Sequence, residues 1–192
     1  MTTPSAAAVP SLGPFMRYVT GHDPVTAKAI HIRSSQVATE PMPGSKLNDK
    51  MKVLFTTTRV PAEDNSVTNA EWIDPMEEGA TSLANGSGTV LRVVDFPPNE
   101  GGMQHRTSSI DYGIVLYGQI VHTLDSGERV TLNAGDIMVQ RGTMHGWDNE
   151  TDDWARMLFV LTAAKPAVIN GQTLEQGGFK SSDVATPRPR GK

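Results

Sequence analysis

The chain has 192 residues, 38% of them hydrophobic and 20% charged, the balance of a soluble protein with one sizeable core. A net charge of −4 leaves no basic footprint for nucleic acid. No apolar run approaches the ~20 residues a membrane helix needs, and with no cysteine any metal must be held by His, Asp, Glu or neutral oxygens.

Residues 1–14 are rich in Ala, Ser, Thr and Pro and predict a disordered start with no secretory pattern, so a cytoplasmic protein is expected. Residues 15–87 predict N-terminal strands and loops that pack on a core domain. Within them Tyr18-Val19-Thr20 is a short strand, Gly21-His22-Asp23-Pro24 a turn and 40–50 a loop. Val53 to Val60 is a strand, and one helical turn falls near Asp74 to Glu78. From residue 88 strand-like runs recur at 89–96, 102–107, 111–117, 119–125, 129–132, 136–140, 144–148 and 155–163. Pro97-Pro98, Gly118, Asp125-Ser126-Gly127, Asn133-Ala134-Gly135 and Arg141-Gly142 punctuate them. Short strands with short turns predict an antiparallel sandwich or barrel over 88–166. Residues 167–192 form a C-terminal extension, and 181–192 holds no core-forming residue and predicts a disordered tail.

Two segments carry a resemblance. His105-Arg106-Thr107, Asp111 and Gly118 keep the spacing of a His-x-His…Glu…Gly motif, with Thr and Asp at two of its ligand places. Gly135, Gly142, His145 and Asn149 follow the second half of the same pair of motifs, with Gln140 where Pro is usual and one residue fewer before the turn. The wording of His105 to Gly113, Leu124 to Glu128 and Gln140 to Trp147 is similar to a narrower group of small cupins. The resemblance is strong over residues 88–166 and weak before them. It implies an all-β cupin jelly-roll barrel with extra N-terminal strands and little helix. Such barrels host decarboxylases, dioxygenases, isomerases, dehydratases and plain binders, so fold alone does not name a reaction.

Strand alternation puts Met103, His105 and Thr107 on one face, Asp111, Gly113 and Val115 on another, and Thr143, His145 and Trp147 on a third. If the chain turns back at Gly118-Gln119, Val115 pairs with His122, and Ile120, His122 and Leu124 face inward, with His122 two steps deeper than Asp111. His105, Thr107, Asp111 and His145 then converge as the four ligands do in metal-binding cupins. Thr107 is a weak ligand and Asp111 a short one, so a site without cofactor is expected. The alternative is a divalent transition metal (Fe, Mn, Ni or Zn) on His105, Asp111 and His145.

Without metal, His105 and His145 make an acid/base pair with Asp111 as the orienting carboxylate. Thr107 and Gln140 are candidates to orient a substrate oxygen. Arg92, in an otherwise apolar strand, is a candidate partner of a carboxylate or phenolate, or an outward or salt-bridged cation. Trp147 is a candidate stacking platform or plain packing, and His122 a further substrate contact or a hydrogen-bonded core histidine. His22 and His31 fall outside the motifs. The resulting expectation is a lyase or isomerase acting on a small organic acid, aromatic or polyketide-like intermediate. A metal-dependent oxygenase and a non-catalytic binder are the alternatives. The expected partners are the small-molecule substrate and a second copy of the chain, with no nucleic acid and no membrane.

Overall fold

The computed structural model describes residues 11–42, 47–63, 65, 72–78 and 86–178. The expectations of a disordered tail over 181–192 and of a disordered start over residues 1–10 lie outside the described residues. The elements in order are β1 (Phe15–His22), β2 (Ala29–Val37), β3 (Glu40–Pro41), β4 (Lys50–Thr56), α1 (Pro75–Glu78), β5 (Thr89–Phe96), β6 (Ser109–Tyr117) and β7 (Gln119–Leu124). They continue with β8 (Arg129–Asn133), β9 (Ile137–Arg141), β10 (His145–Asp148), β11 (Ala155–Ala163), β12 (Ala167–Ile169) and β13 (Gln172–Leu174). The fold is an all-β antiparallel jelly roll.

A six-stranded sheet of order β3-β4-β5-β11-β6-β9 faces a three-stranded sheet of order β10-β7-β8, and β1-β2 and β12-β13 form separate hairpins. The two larger sheets exist because their strands alternate. On β11, Ala155, Met157, Phe159 and Leu161 are buried in the space between the sheets. On β5, Val90, Val94 and Phe96 join them, with Val115 of β6, Ile120 of β7, Leu132 of β8 and Trp147 of β10. Each such side chain contributes roughly 1.5–3 kcal/mol on leaving water. The alternate residues of β4, β5 and β11 (Leu54, Leu91, Val93, Leu158) face outward and are covered by Phe15 of β1, Val37 of β2 and Met76 of α1. Arg17 of β1 grips Asp74, just before α1, through two 2.8 Å bonds, so the N-terminal hairpin and the helical turn are tied together over that face.

Three local expectations are corrected. Residues 102–107 form no strand; only isolated bridges at His105 and Arg106 remain. The expected strand over 53–60 starts and ends earlier, at Lys50–Thr56. Most consequentially, β6 and β7 do not pair, so Val115 does not face His122. Gly118 has φ +75°, and a Cβ there would meet the Trp154 carbonyl oxygen at 2.7 Å. That tight corner sends the chain from the large sheet to the small one. Tyr117 stays beside Arg156, whereas Gln119 lies beside Asn133. The pairs β1-β2 and β12-β13 carry too little apolar alternation to announce themselves; only Tyr18 to Thr20 of β1 was expected.

Candidate active site in the barrel

A two-way backbone bridge places the central histidines. His105 N donates to the His145 carbonyl at 2.8 Å, and His145 N donates back at 2.9 Å. Directly opposed residues in an antiparallel pair put their side chains on one face, and the two imidazole centroids are 4.3 Å apart. On the other side of β10, Trp147 opposes His122 of β7. His122 therefore stacks 5.8 Å from His145 and 4.6 Å from Trp147. His122 belongs to the constellation; the deep, remote position expected from a β6-β7 hairpin is overturned by the corner at Gly118.

Backbone carbonyls set the tautomers. His105 Nδ1 donates to the Met103 carbonyl and His145 Nδ1 to the Thr143 carbonyl, both at 2.9 Å. A carbonyl only accepts, so Nδ1 carries the hydrogen and Nε2 the lone pair in each neutral ring. His122 is held the other way round: its Nε2 donates to Gln140 Oε1 at 2.7 Å, while the Gln140 amide nitrogen donates to the Thr143 hydroxyl and carbonyl. Burial disfavours the imidazolium. It pushes His145 down to about 3, helped by the nearby His105, His122 and Arg92, and His105 down to about 4, helped by Arg92. His122 is lowered as well, again mainly by burial.

Asp111 orients neither imidazole. Its carboxylate is taken on β6 by Ser109 Oγ at 2.5 Å and by Thr107 Oγ1 at 3.3 Å, and the two hydroxyls are 2.8 Å apart. Three oxygen–oxygen contacts share two hydroxyl protons, so all three are hydrogen bonds only when Asp111 is itself protonated. Burial raises the Asp111 carboxyl above the usual range, against the Ser109 and Thr107 bonds and the charge of Arg92. Ser109 is the residue the sequence reading missed; it alternates with Thr107 and Asp111, so the period-2 rule already put it on their face. Thr107 and Gln140 turn out to be committed to Asp111 and His122 rather than offered to a substrate oxygen.

Arg92 points inward, on the face of β5 shared by Val90 and Val94. Across the sheet it opposes Phe159 of β11, which in turn opposes Gly113 of β6. Gly113 makes room for that ring: a Cβ there would come within 3.0 Å of Phe159 Cε1. The guanidinium lies 5.6 Å over the Phe159 ring, and Phe159 packs edge-on against Trp147 at 5.3 Å. Trp147 is thus a wall shared by His122, His145 and Phe159. Tyr112 of β6 faces out and is exposed, and His22 and His31 sit on the β1-β2 hairpin away from this cluster.

Residues 92–161 match the family described as Cupin domain. Over 178 residues the chain is 34% identical to Phomopsin biosynthesis cluster protein C′ of Diaporthe leptostromiformis, covering 91% of each. It is 32% identical over 169 residues to the cupin-domain-containing oxidoreductase virC of Hypocrea virens, covering 86% of this chain and 84% of that one. This chain is a cupin. Among solved structures, the polyketide cyclase RemF of Streptomyces resistomycificus aligns with this cupin over 77% of the chain and 83% of its own, at 20% identity and a TM-score of 0.44.

The residues of this cupin do not fit a transition metal well. Among the described residues no group of three or more His, Asp or Glu side chains could hold a metal ion. The conditional ligand set of His105, Asp111 and His145 is therefore not assembled: Asp111 is engaged by Ser109 and Thr107 and stands in the field of a guanidinium. Thr107 supplies a neutral oxygen where the motif has an imidazole. Among the described residues no helix is long and apolar enough to cross a membrane.

Proposed function

We propose that this cupin is an enzyme of secondary metabolism that moves protons on a small organic acid, aromatic or polyketide-like intermediate. The reaction class is dehydration, decarboxylation, or isomerisation with cyclisation. The observation that carries the reading is the bridged pair His105–His145. It comprises two neutral imidazoles side by side, His145 buried and His105 half-buried, each with Nδ1–H fixed by a carbonyl so that the lone pair lies on Nε2. The printed names of relatives from biosynthesis clusters support the metabolic setting.

His145 Nε2 or His105 Nε2 takes a proton from substrate carbon or oxygen. The proton returns to another substrate atom or to the departing oxygen, so the ring ends neutral as it began. His122, locked by Gln140, and Trp147 hold His145 in place. Asp111, when protonated within its hydroxyl ring, is a second proton source with no metal involved. The test is steady-state turnover of a co-purifying small molecule by wild type and by His145→Ala. Loss of turnover in a folded variant supports the reading. Unchanged turnover refutes it, and a bound molecule that is never converted would make this a binding protein.

A second reading is favoured by the oxidoreductase in the names of virC and of fogC from Aspergillus ruber. It is a metal-dependent oxygenase on the same histidines. Metal analysis of freshly purified protein separates the two. The proton-transfer reading expects substoichiometric iron, manganese, nickel and zinc; a full complement lost on His105→Ala or His145→Ala favours the oxygenase.

A further inference from the structure

Arg92 is a cation inside the barrel with no adequate partner among the described residues. It is 7% exposed. Its one recorded hydrogen bond runs from Nη1 to the Met51 sulfur at 3.9 Å, and its Nε is buried without a partner. No described carboxylate stands within ion-pair distance, although Asp111 acts on it through space. Burial lowers it only to about 10, so it keeps its charge at neutral pH. A buried guanidinium with five donors and a thioether as acceptor is costly unless a ligand completes it.

We propose that Arg92 is the anion subsite of the barrel and that the substrate is a compact monocarboxylate. The inference rests on the barrel interior being the substrate chamber, as in the functional reading above. A carboxylate matches the planar fork of a guanidinium with two parallel bonds. A single cation suits one negative charge: His105, His122 and His145 are neutral, and Arg92 is the only Lys or Arg side chain among the buried polar residues that line this space. A phosphate dianion would be left half compensated. The walls beside Arg92 are the Phe159 ring, Met51 and, beyond Phe159, Trp147, so the body of the acid is apolar or aromatic. With its carboxylate on Arg92 of β5, that body extends toward the bridged histidines on the opposite side of the barrel, whose charge state already feels Arg92.

The test is binding without turnover, by calorimetry on the full chain at millimolar ligand. Its probes are benzoate, the neutral benzamide of the same shape and the dianion phenyl phosphate. Wild type should bind benzoate and discriminate against the other two. Arg92→Gln should weaken benzoate about thirtyfold or more, the worth of a charge-assisted bidentate bond. Arg92→Lys, which keeps the charge and loses the fork, should fall between them, and Arg129→Gln, on the exposed face of β8, should bind benzoate as wild type does. Equal binding of benzoate and benzamide by wild type overturns the proposal with no variant needed. So does undiminished benzoate binding by Arg92→Gln, or the absence of any Arg92-dependent binding. If benzoate binds as expected but no acid is ever turned over, the subsite stands and the enzymatic reading falls.

Discussion

At the scale of single residues, the site is governed by desolvation. Three histidines cluster beside a guanidinium, and burial outweighs the hydrogen bonds to Met103, Gln140 and Thr143 that favour the charged rings. Heteronuclear NMR of the imidazoles should therefore show His105 and His145 as neutral Nδ1–H tautomers at pH 6, charging only toward pH 4 and 3. Imidazolium at pH 6 would count against a base role. His145→Ala should lower turnover at least about a hundredfold with the fold intact. Since His122 touches His145 and locks Gln140, His122→Leu should also lower turnover, though less, by loosening His145 rather than by removing a proton carrier. That His105 and His145 come together inside the barrel, with Asp111 on an inward face, was legible in motif and alternation; the inward turn of Arg92 was left open. The role of Asp111 was not legible, because its capture by Ser109 and Thr107 depends on side-chain reach, which spacing does not report.

At the scale of elements, alternation and turn residues located β5 to β11 with small errors; β6 and β11 alternate strictly, whereas β5 is buried on both faces. What alternation could not supply was which strands pair. A single glycine with positive φ converts an expected hairpin into a change of sheet, and that moved His122 from a remote position to contact with His145. Gly118→Ala should cost a few kcal/mol by thermal or chemical denaturation, since the new methyl meets the Trp154 carbonyl and the backbone is strained besides. Just before β4, Asp49 is buried and raised to about 7 by desolvation, with Glu100 adding repulsion. A carboxyl raised in the folded state binds a proton that the unfolded chain releases, so its contribution falls as pH rises from about 4 to about 7. Asp49→Asn should remove that slope and raise the melting temperature at pH 8, with an upper bound of about 4 kcal/mol.

At the scale of the whole molecule, the N-terminal hairpin covers only part of the large sheet. The outer face of β6 and β9 is left with Ile110, Tyr112, Leu116, Ile137 and Val139 exposed together, a contiguous apolar patch of the kind that marks an interface. The expected homodimer would bury it. Sedimentation should show a dimer at micromolar concentration and a monomer for Tyr112→Lys with Val139→Lys; a wild-type monomer would refute it. The central claim concerns chemistry, and one measurement reaches it most directly. A carboxylic acid found to co-purify with the protein is incubated with it in deuterated buffer, without oxygen, with a chelator and no electron acceptor, and the product is weighed by mass spectrometry. The account predicts turnover with no net change of oxidation state once any water or carbon dioxide released is counted, and one solvent deuterium fixed on carbon where the reaction is a decarboxylation or an isomerisation. Turnover that requires oxygen or an electron acceptor, or a net change of oxidation state, would contradict it.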